Sequence, residues 1–235
     1  EESNPEYHRR GIVPCVYATT NEPMCYVVGD SPYQLPCESI GFWFYPTTSS
    51  NKKRYLFSTK YNKSLVAVYI GTDYKLHLEL KDADGNRYEP LVSDYAISLN
   101  KWNFFNLNWM NRDDGLGYSN VCEYELTLNC RTKVYQKVDP RLVVEVKKLN
   151  AEFHIGYLIN DSGISNPLNA DITALMIGKR TDLFMDEIQD YYRLTKDYLI
   201  DNEFVTDEIR TVDFSTTNLH TINQNILNNF EIYPL

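Results

Sequence analysis

Glycine is scarce, with 10 in 235 residues, and no Gly-rich phosphate-cradling loop or Gly-x-Ser-x-Gly elbow occurs. The framework for P-loop phosphoryl transfer or an α/β-hydrolase nucleophile is therefore missing. No long Lys/Arg cluster interrupts a net charge of −9. Such a chain repels a phosphate backbone, which excludes nucleic acid as a partner. No apolar run approaches the roughly 20 residues of a membrane span, and no basic segment followed by an apolar one opens the chain, so no membrane insertion is expected. The first residue is Glu1 rather than Met, which reads as a processed or excised piece. The five cysteines (Cys15, Cys25, Cys37, Cys122, Cys130) form no Cys-x-x-Cys pair and lie near no histidine at zinc spacing. A metal cage and a resident cofactor are not expected.

Cys122 and Cys130, if they end one extended strand, stand about 26 Å apart at about 3.3 Å per residue and cannot bridge each other. An odd count leaves one cysteine over, and two alternatives stay open: a partly disulfide-bonded extracellular protein, or buried thiols throughout. Asn62-Lys63-Ser64 and Asn160-Asp161-Ser162 are triplets of the Asn-linked glycosylation type.

What the chain does contain is tyrosine, 19 residues of it, within an ordinary globular balance of 43% hydrophobic and 23% charged residues. Pro5, Pro14, Pro23, Pro32 and Pro36 exclude a long helix or uninterrupted central strand over residues 1–37. This stretch reads as an irregular lead-in or assembly segment with short edge strands, its cysteines available as staples.

From residue 38 the apolar period becomes two. Ile40, Phe42 and Phe44 share a face opposite Trp43 and Tyr45; Val66, Val68 and Ile70 follow the polar tip Thr47 to Arg54, so that residues 40–61 read as an aromatic hairpin. Leu76, Leu78 and Leu80 alternate with Lys75, His77 and Glu79 before the Asp84-Gly85 turn signal. Phe105, Leu107 and Trp109, then Tyr124, Leu126 and Leu128, then Leu142, Val144 and Val146, then Phe153, Ile155 and Tyr157 continue the pattern. Further apolar stretches run over 172–177 and 184–194. At least eight strand candidates predict an all-β fold, an antiparallel two-sheet β-sandwich with irregular N-terminal and C-terminal extensions. The sandwich is placed at 38–200 and the extension at 201–235, where helical spacing of Ile222, Ile226 and Leu227 suggests a part-helical or interaction tail.

The order of these segments resembles laminin-G-like, or concanavalin A-like, jelly-roll domains. Ile40-Gly41-Phe42-Trp43-Phe44 is similar to that family's early strand, Leu99-Asn100-Lys101-Trp102-Asn103-Phe104 to the segment where Trp opens a central strand, and Tyr124 to Asn129 to a strand leading into an Asn-Gly turn, with Cys130 in the glycine position. Ile177-Gly178 and Phe184 to Leu194 resemble the closing strand, with Asp186 and Gln189 in place of the family's Gly and Asp. The resemblance implies binding, often with calcium held by loop carboxylates; Asp161 and Asp171 are the residues that would supply them here.

Catalysis finds little support. A glycoside hydrolase needs two carboxylates about 5 to 9 Å apart. Glu187 and Asp190 have opposite strand parity, whereas Glu123 and Glu125 share a face that reads as a solvated outer surface. Glycan recognition needs aromatic platforms beside Asn or Asp. Tyr118 with Asn111, Asp113, Asp114 and Asn120, and the stretch Asn160, Asp161 through Asn169 and Asp171, are the loops that fit. The expected protein is a non-catalytic recognition module of a larger extracellular or virion assembly, such as a bacteriophage tail protein. Its partners would be a cell-surface glycan or protein receptor and the other chains of the assembly. A structural subunit without sugar binding and a glycoside hydrolase-like domain are the alternatives.

Overall fold

A computed structural model describes residues 7–10, 13–21, 23–27, 39–61, 63–113, 120–138, 152–178, 192–193, 195–196 and 230–233. Its strands are β1 (Tyr7–Arg10), β2 (Val13–Ala18), β3 (Met24–Val27), β4 (Ser39–Tyr45), β5 (Arg54–Tyr61), β6 (Ser64–Ile70), β7 (Lys75–Lys81) and β8 (Arg87–Ala96). They continue as β9 (Asn103–Asp113), β10 (Asn120–Leu128), β11 (Arg131–Val138), β12 (Glu152–Ile155), β13 (Leu158–Asn160), β14 (Gly163–Ser165), β15 (Ala170–Gly178) and β16 (Phe230–Tyr233). The first sheet has the order β1-β2-β15-β4-β9-β10-β11, with β16 also on β15; the second has the order β3-β12-β5-β6-β7-β8. Every pairing is antiparallel, and β13 and β14 form a separate two-stranded ribbon.

The sandwich draws strands from beyond residues 38–200. β2 and β16 both add to β15, and β3 edges the second sheet through β12. The segments 142–146, 184–191 and 201–229 lie outside the described residues. Tyr192 and Arg193, at the end of the stretch read as a closing strand, are helical, as are Thr195 and Lys196 after it.

Residues 40–61 are not a hairpin. β4 pairs with β9 and β15 in the first sheet, β5 with β6 and β12 in the second, and residues 46–53 cross between them. The reason lies in burial: Phe42 and Phe44 face the core while Trp43 is buried on the opposite side, so β4 needs a neighbour on both flanks and a cover on each face. Arg54, buried at the start of β5, ties the crossover by donating from Nη1 to the Thr48 carbonyl at 3.1 Å. The outer cover over Trp43 is the helical turn. Tyr192 stacks on the indole with centroids 5.2 Å apart, and Trp43 Nε1 donates to Thr195 Oγ1 at 2.8 Å.

Between the sheets lie Ile40, Phe42, Phe44, Val66, Val68, Leu76, Leu78, Leu80, Leu107, Leu126 and their neighbours, all buried. Trp109 of the first sheet stacks against Phe57 and Phe153 of the second, at 6.2 and 6.4 Å. The Asp84-Gly85 signal does mark a turn, with Gly85 at φ 88°. Asn129 and Cys130 join β10 to β11 with φ of 48° and 66°, the two left-handed residues of a type I′ turn. Cys130 thus holds a glycine conformation at a steric cost.

Two outcomes follow for stability. Cys130→Gly raises the urea midpoint, worth about 1 kcal/mol, because strain is relieved at the second turn residue. Gly156→Ala does the reverse: Gly156 has φ 82° and an added Cβ would stand 2.6 Å from the Ala18 Cβ. The same unfolding measurement then shows a loss of roughly 2 kcal/mol or more.

Candidate functional site

The pleat places Lys75, His77, Glu79 and Lys81 on the outer face of the second sheet, and Leu65, Ala67 and Tyr69 beside them on β6. This face is not simply solvated. Tyr55, Leu65, Ala67 and Tyr69 form a small buried cluster that Leu158 packs against. After β12 the chain turns at Gly156, whose N–H donates to the Leu56 carbonyl and whose carbonyl accepts from Leu168 N–H, both at 2.8 Å. The β13–β14 ribbon is thereby folded back over β5. Ser58 Oγ fastens it by donating to the Tyr157 carbonyl at 2.8 Å and accepting from Ile159 N–H at 3.0 Å.

An open groove of about 300 Å³ runs between this ribbon and β6–β7, lined by Leu65, Leu158, Ile159, Asn160 and Asp161, by Lys60, Lys63 and Lys81, and by Glu79 and Gly85. Lys60, Leu65 and Lys81 are directly opposite one another across β5, β6 and β7. Their pleat is shared, so the two lysines rise on either side of a leucine, with Cα atoms about 10 Å apart at two strand spacings. Lys63 joins from the β5–β6 turn, its stem 3.8 Å from where a Cβ on Gly85 would stand.

The carboxylates of the groove are occupied. Glu79 is buried and accepts from the Tyr55 hydroxyl at 2.7 Å and from Arg87 Nη2 at 2.6 Å. Burial and that hydrogen bond push the Tyr55 phenol up, out of any physiological titration. Asp161, 96% exposed, pairs with Lys60, which holds its carboxyl below the usual range. Lys63 and Lys81 have no ion pair among the described residues. Further along the face, Tyr69 stacks on His77 at 4.8 Å, carries Lys53 Nζ 3.9 Å over its ring and donates to Glu89 at 2.9 Å.

No family model and no curated protein matches the sequence. Among solved structures, the CBM40 domain of the Ruminococcus gnavus IT-sialidase, bound to α2,3 sialyllactose, aligns with a TM-score of 0.52 at 16% identity, over 76% of this chain and 95% of that one. The fold is a laminin-G-like, concanavalin A-like jelly roll. The botulinum neurotoxin serotype D binding domain gives 0.49 at 14% identity over 75% of this chain and 42% of that one. Mouse laminin α1 LG4-5 gives 0.48 at 12% over 70% and 40%. The jelly roll spans less than half of these two longer chains.

Of the residues singled out from sequence, the jelly roll brings Asn160 and Asp161 into the groove. Asn160 spends its amide on the turn, donating to Ser165 Oγ at 3.0 Å and accepting from Ser162 N–H at 2.9 Å. Asn169 is elsewhere, with φ 51° and its N–H on the Ala18 carbonyl at 2.9 Å. Asp171 does not join Asp161 as a calcium ligand: it is 1% exposed in the first sheet and paired with Arg10. Among the described residues no three His, Cys, Asp or Glu side chains gather as a metal site. Asn111 and Asp113 lie in β9 and Asn120 in β10, with Asn120 opposite Asp113, so these are strand rather than loop positions. Tyr118 and Asp114 lie outside the described residues. Glu123 corrects the expectation of a solvated pair, being 2% exposed; Glu125 is half-buried and accepts from Asn108 Nδ2 at 3.4 Å. The lysines were missed because each sits singly in sequence; strand parity was the signal that could have gathered Lys60 and Lys81.

The turn forming the far wall has its own organiser. Buried Asp82 accepts from the backbone N–H groups of Asp84 and Asn86, from Asn86 Nδ2 and from the Tyr88 hydroxyl, at 2.9 to 3.1 Å. Burial opposes its ionisation, but these donors outweigh it and hold the carboxyl at about 2, below the ordinary 3.8. A depressed carboxyl stabilises the fold above its unfolded value and ceases to as it protonates. Unfolding free energy measured against pH accordingly drops between about 4 and about 2, and Asp82→Asn removes that step while lowering stability at neutral pH.

Proposed function

We propose that this jelly roll is a non-catalytic recognition module of a larger extracellular or virion assembly, and that it binds a glycan or a cell-surface receptor through the groove beneath the β13–β14 ribbon. The observation that carries the reading is the groove's composition. Half-buried Leu158 meets the lysines Lys60, Lys63 and Lys81 in one lining, which suits a ligand with C–H faces and oxygen acceptors. The solved CBM40 domain of similar fold, which holds a sialylated trisaccharide, supports a saccharide as the ligand. Glu79 and Asp161 are both tied to cations, which favours binding over a two-carboxylate hydrolysis. Tyr118 with Asn111, Asp113 and Asn120 is a second proposed contact, and calcium a proposed accessory.

A structural role in assembly has one observation in its favour: Tyr95 and Val134 are large, apolar and about half exposed on the neighbouring strands β8 and β11. A glycan array read with and without calcium, alongside sedimentation of the same sample, separates the two. Saturable binding lost in Lys81→Glu and weakened in Tyr118→Ala, the second proposed contact, is the expected result. Silence on the array together with stable oligomers would give the assembly reading the stronger claim.

A further inference from the structure

We infer that the groove selects saccharides carrying an isolated acidic group, a carboxylate or sulfate on an otherwise neutral sugar, with Lys63 and Lys81 as the residues that bind it. This rests on the recognition reading above and specifies its ligand. Glu79 pairs with Arg87 and Asp161 with Lys60, yet Lys63 and Lys81 line the same groove with no ion pair among the described residues, Lys81 acting on Asp161 only through its field. Two ammonium groups left over at one concavity, on a chain of net charge −9, make a local reversal of sign. Lys81 is half-exposed and Lys63 exposed, so an anion between them meets one charge partly shielded from water, where it is worth more than in bulk solvent.

The geometry suits one acidic group rather than many. The cleft is about 300 Å³, at the small end of ligand sites. The chain as a whole carries a net charge of −9, so a long polyanion that reaches beyond the cleft meets an unfavourable overall field. Leu158, half-buried in the lining of the same cleft, offers an apolar contact for the ring that bears the acid. Asp161 lies at the mouth on Lys60, nearly fully exposed, so a ligand's acid has only a solvated side chain to displace there.

The test uses three probes with one neutral core: lactose, sialyllactose and 3′-sulfolactose, titrated calorimetrically into the full chain and into a Lys63→Gln/Lys81→Gln variant. Both positions are at the surface, and an unchanged melting curve confirms the fold. Expected are binding of one or both acidic sugars, weakening on raising salt from 50 to 300 mM, and at least about a tenfold loss in the variant. The carboxylate and sulfate arms tell which acid is preferred. If lactose binds as well as the acidic sugars and the variant behaves like wild type, the inference is overturned while the recognition reading stands. If a glycan array finds only unrelated neutral ligands the same holds, and if no saccharide binds at all, both fall.

Discussion

The indole of Trp109, reaching from the first sheet to stack on Phe57 and Phe153 of the second, is the contact on which the other features of this structure depend. Two twisted sheets facing each other need side chains long enough to meet in the middle, and aromatic rings supply both the reach and the buried area. With the inner faces engaged, β5 is held in register between β12 and β6. Only then is the outer row Lys60, Leu65, Lys81 aligned, because parity alone decides which side each residue takes. The groove is thus a by-product of core packing made useful by what stands on the opposite face.

The outer faces of the two sheets are covered differently, and the difference leaves the groove open. Over the first sheet, Trp43 and Phe104 are roofed by Tyr192, at 5.2 and 5.6 Å between ring centroids. Asn106 and Ser39 are likewise buried and bonded to each other at 3.2 Å. Over the second, the roof is a narrow ribbon fastened along β5 through Ser58, which leaves β6 and β7 partly open beside it. A partial roof costs little apolar exposure when the uncovered row is lysine, whose stems shield apolar surface while their heads stay in water.

The strands were legible because alternation is local. Leu76, Leu78 and Leu80 announce β7 and its faces without any knowledge of partners, and the same holds for Phe105, Leu107 and Trp109 in β9. What failed was connectivity and environment. Two aromatic runs around a polar tip read equally as a hairpin or as a crossover, and the choice turns on which strands flank β4 and β5, a fact settled at 154 and 172 rather than between 40 and 61. Glu123 has the parity of an outer residue yet is buried, since parity gives a face and not its cover. The candidate site suffered most. Its key pairing, Lys60 with Asp161, joins residues 101 positions apart, and nothing near either in sequence points to the other. Asn160 and Asp161 were found as a polar turn, which they are, and only the fold shows that the turn overhangs three lysines.

Overall charge and local charge lead here to different conclusions, and distance reconciles them. At physiological ionic strength an exposed charge is felt over about 8 Å, so the net −9 of the chain governs the approach of a long polyelectrolyte, which samples much of the surface at once. A small ligand samples only the groove. Within it, Lys63 and Lys81 lie closer than the screening length to the cleft they line, while Glu79 and Asp161 are each neutralised at contact. An acidic exterior and a cationic cleft are therefore compatible: the field of the whole molecule opposes a long polyanion, while two side chains set the field inside the cleft.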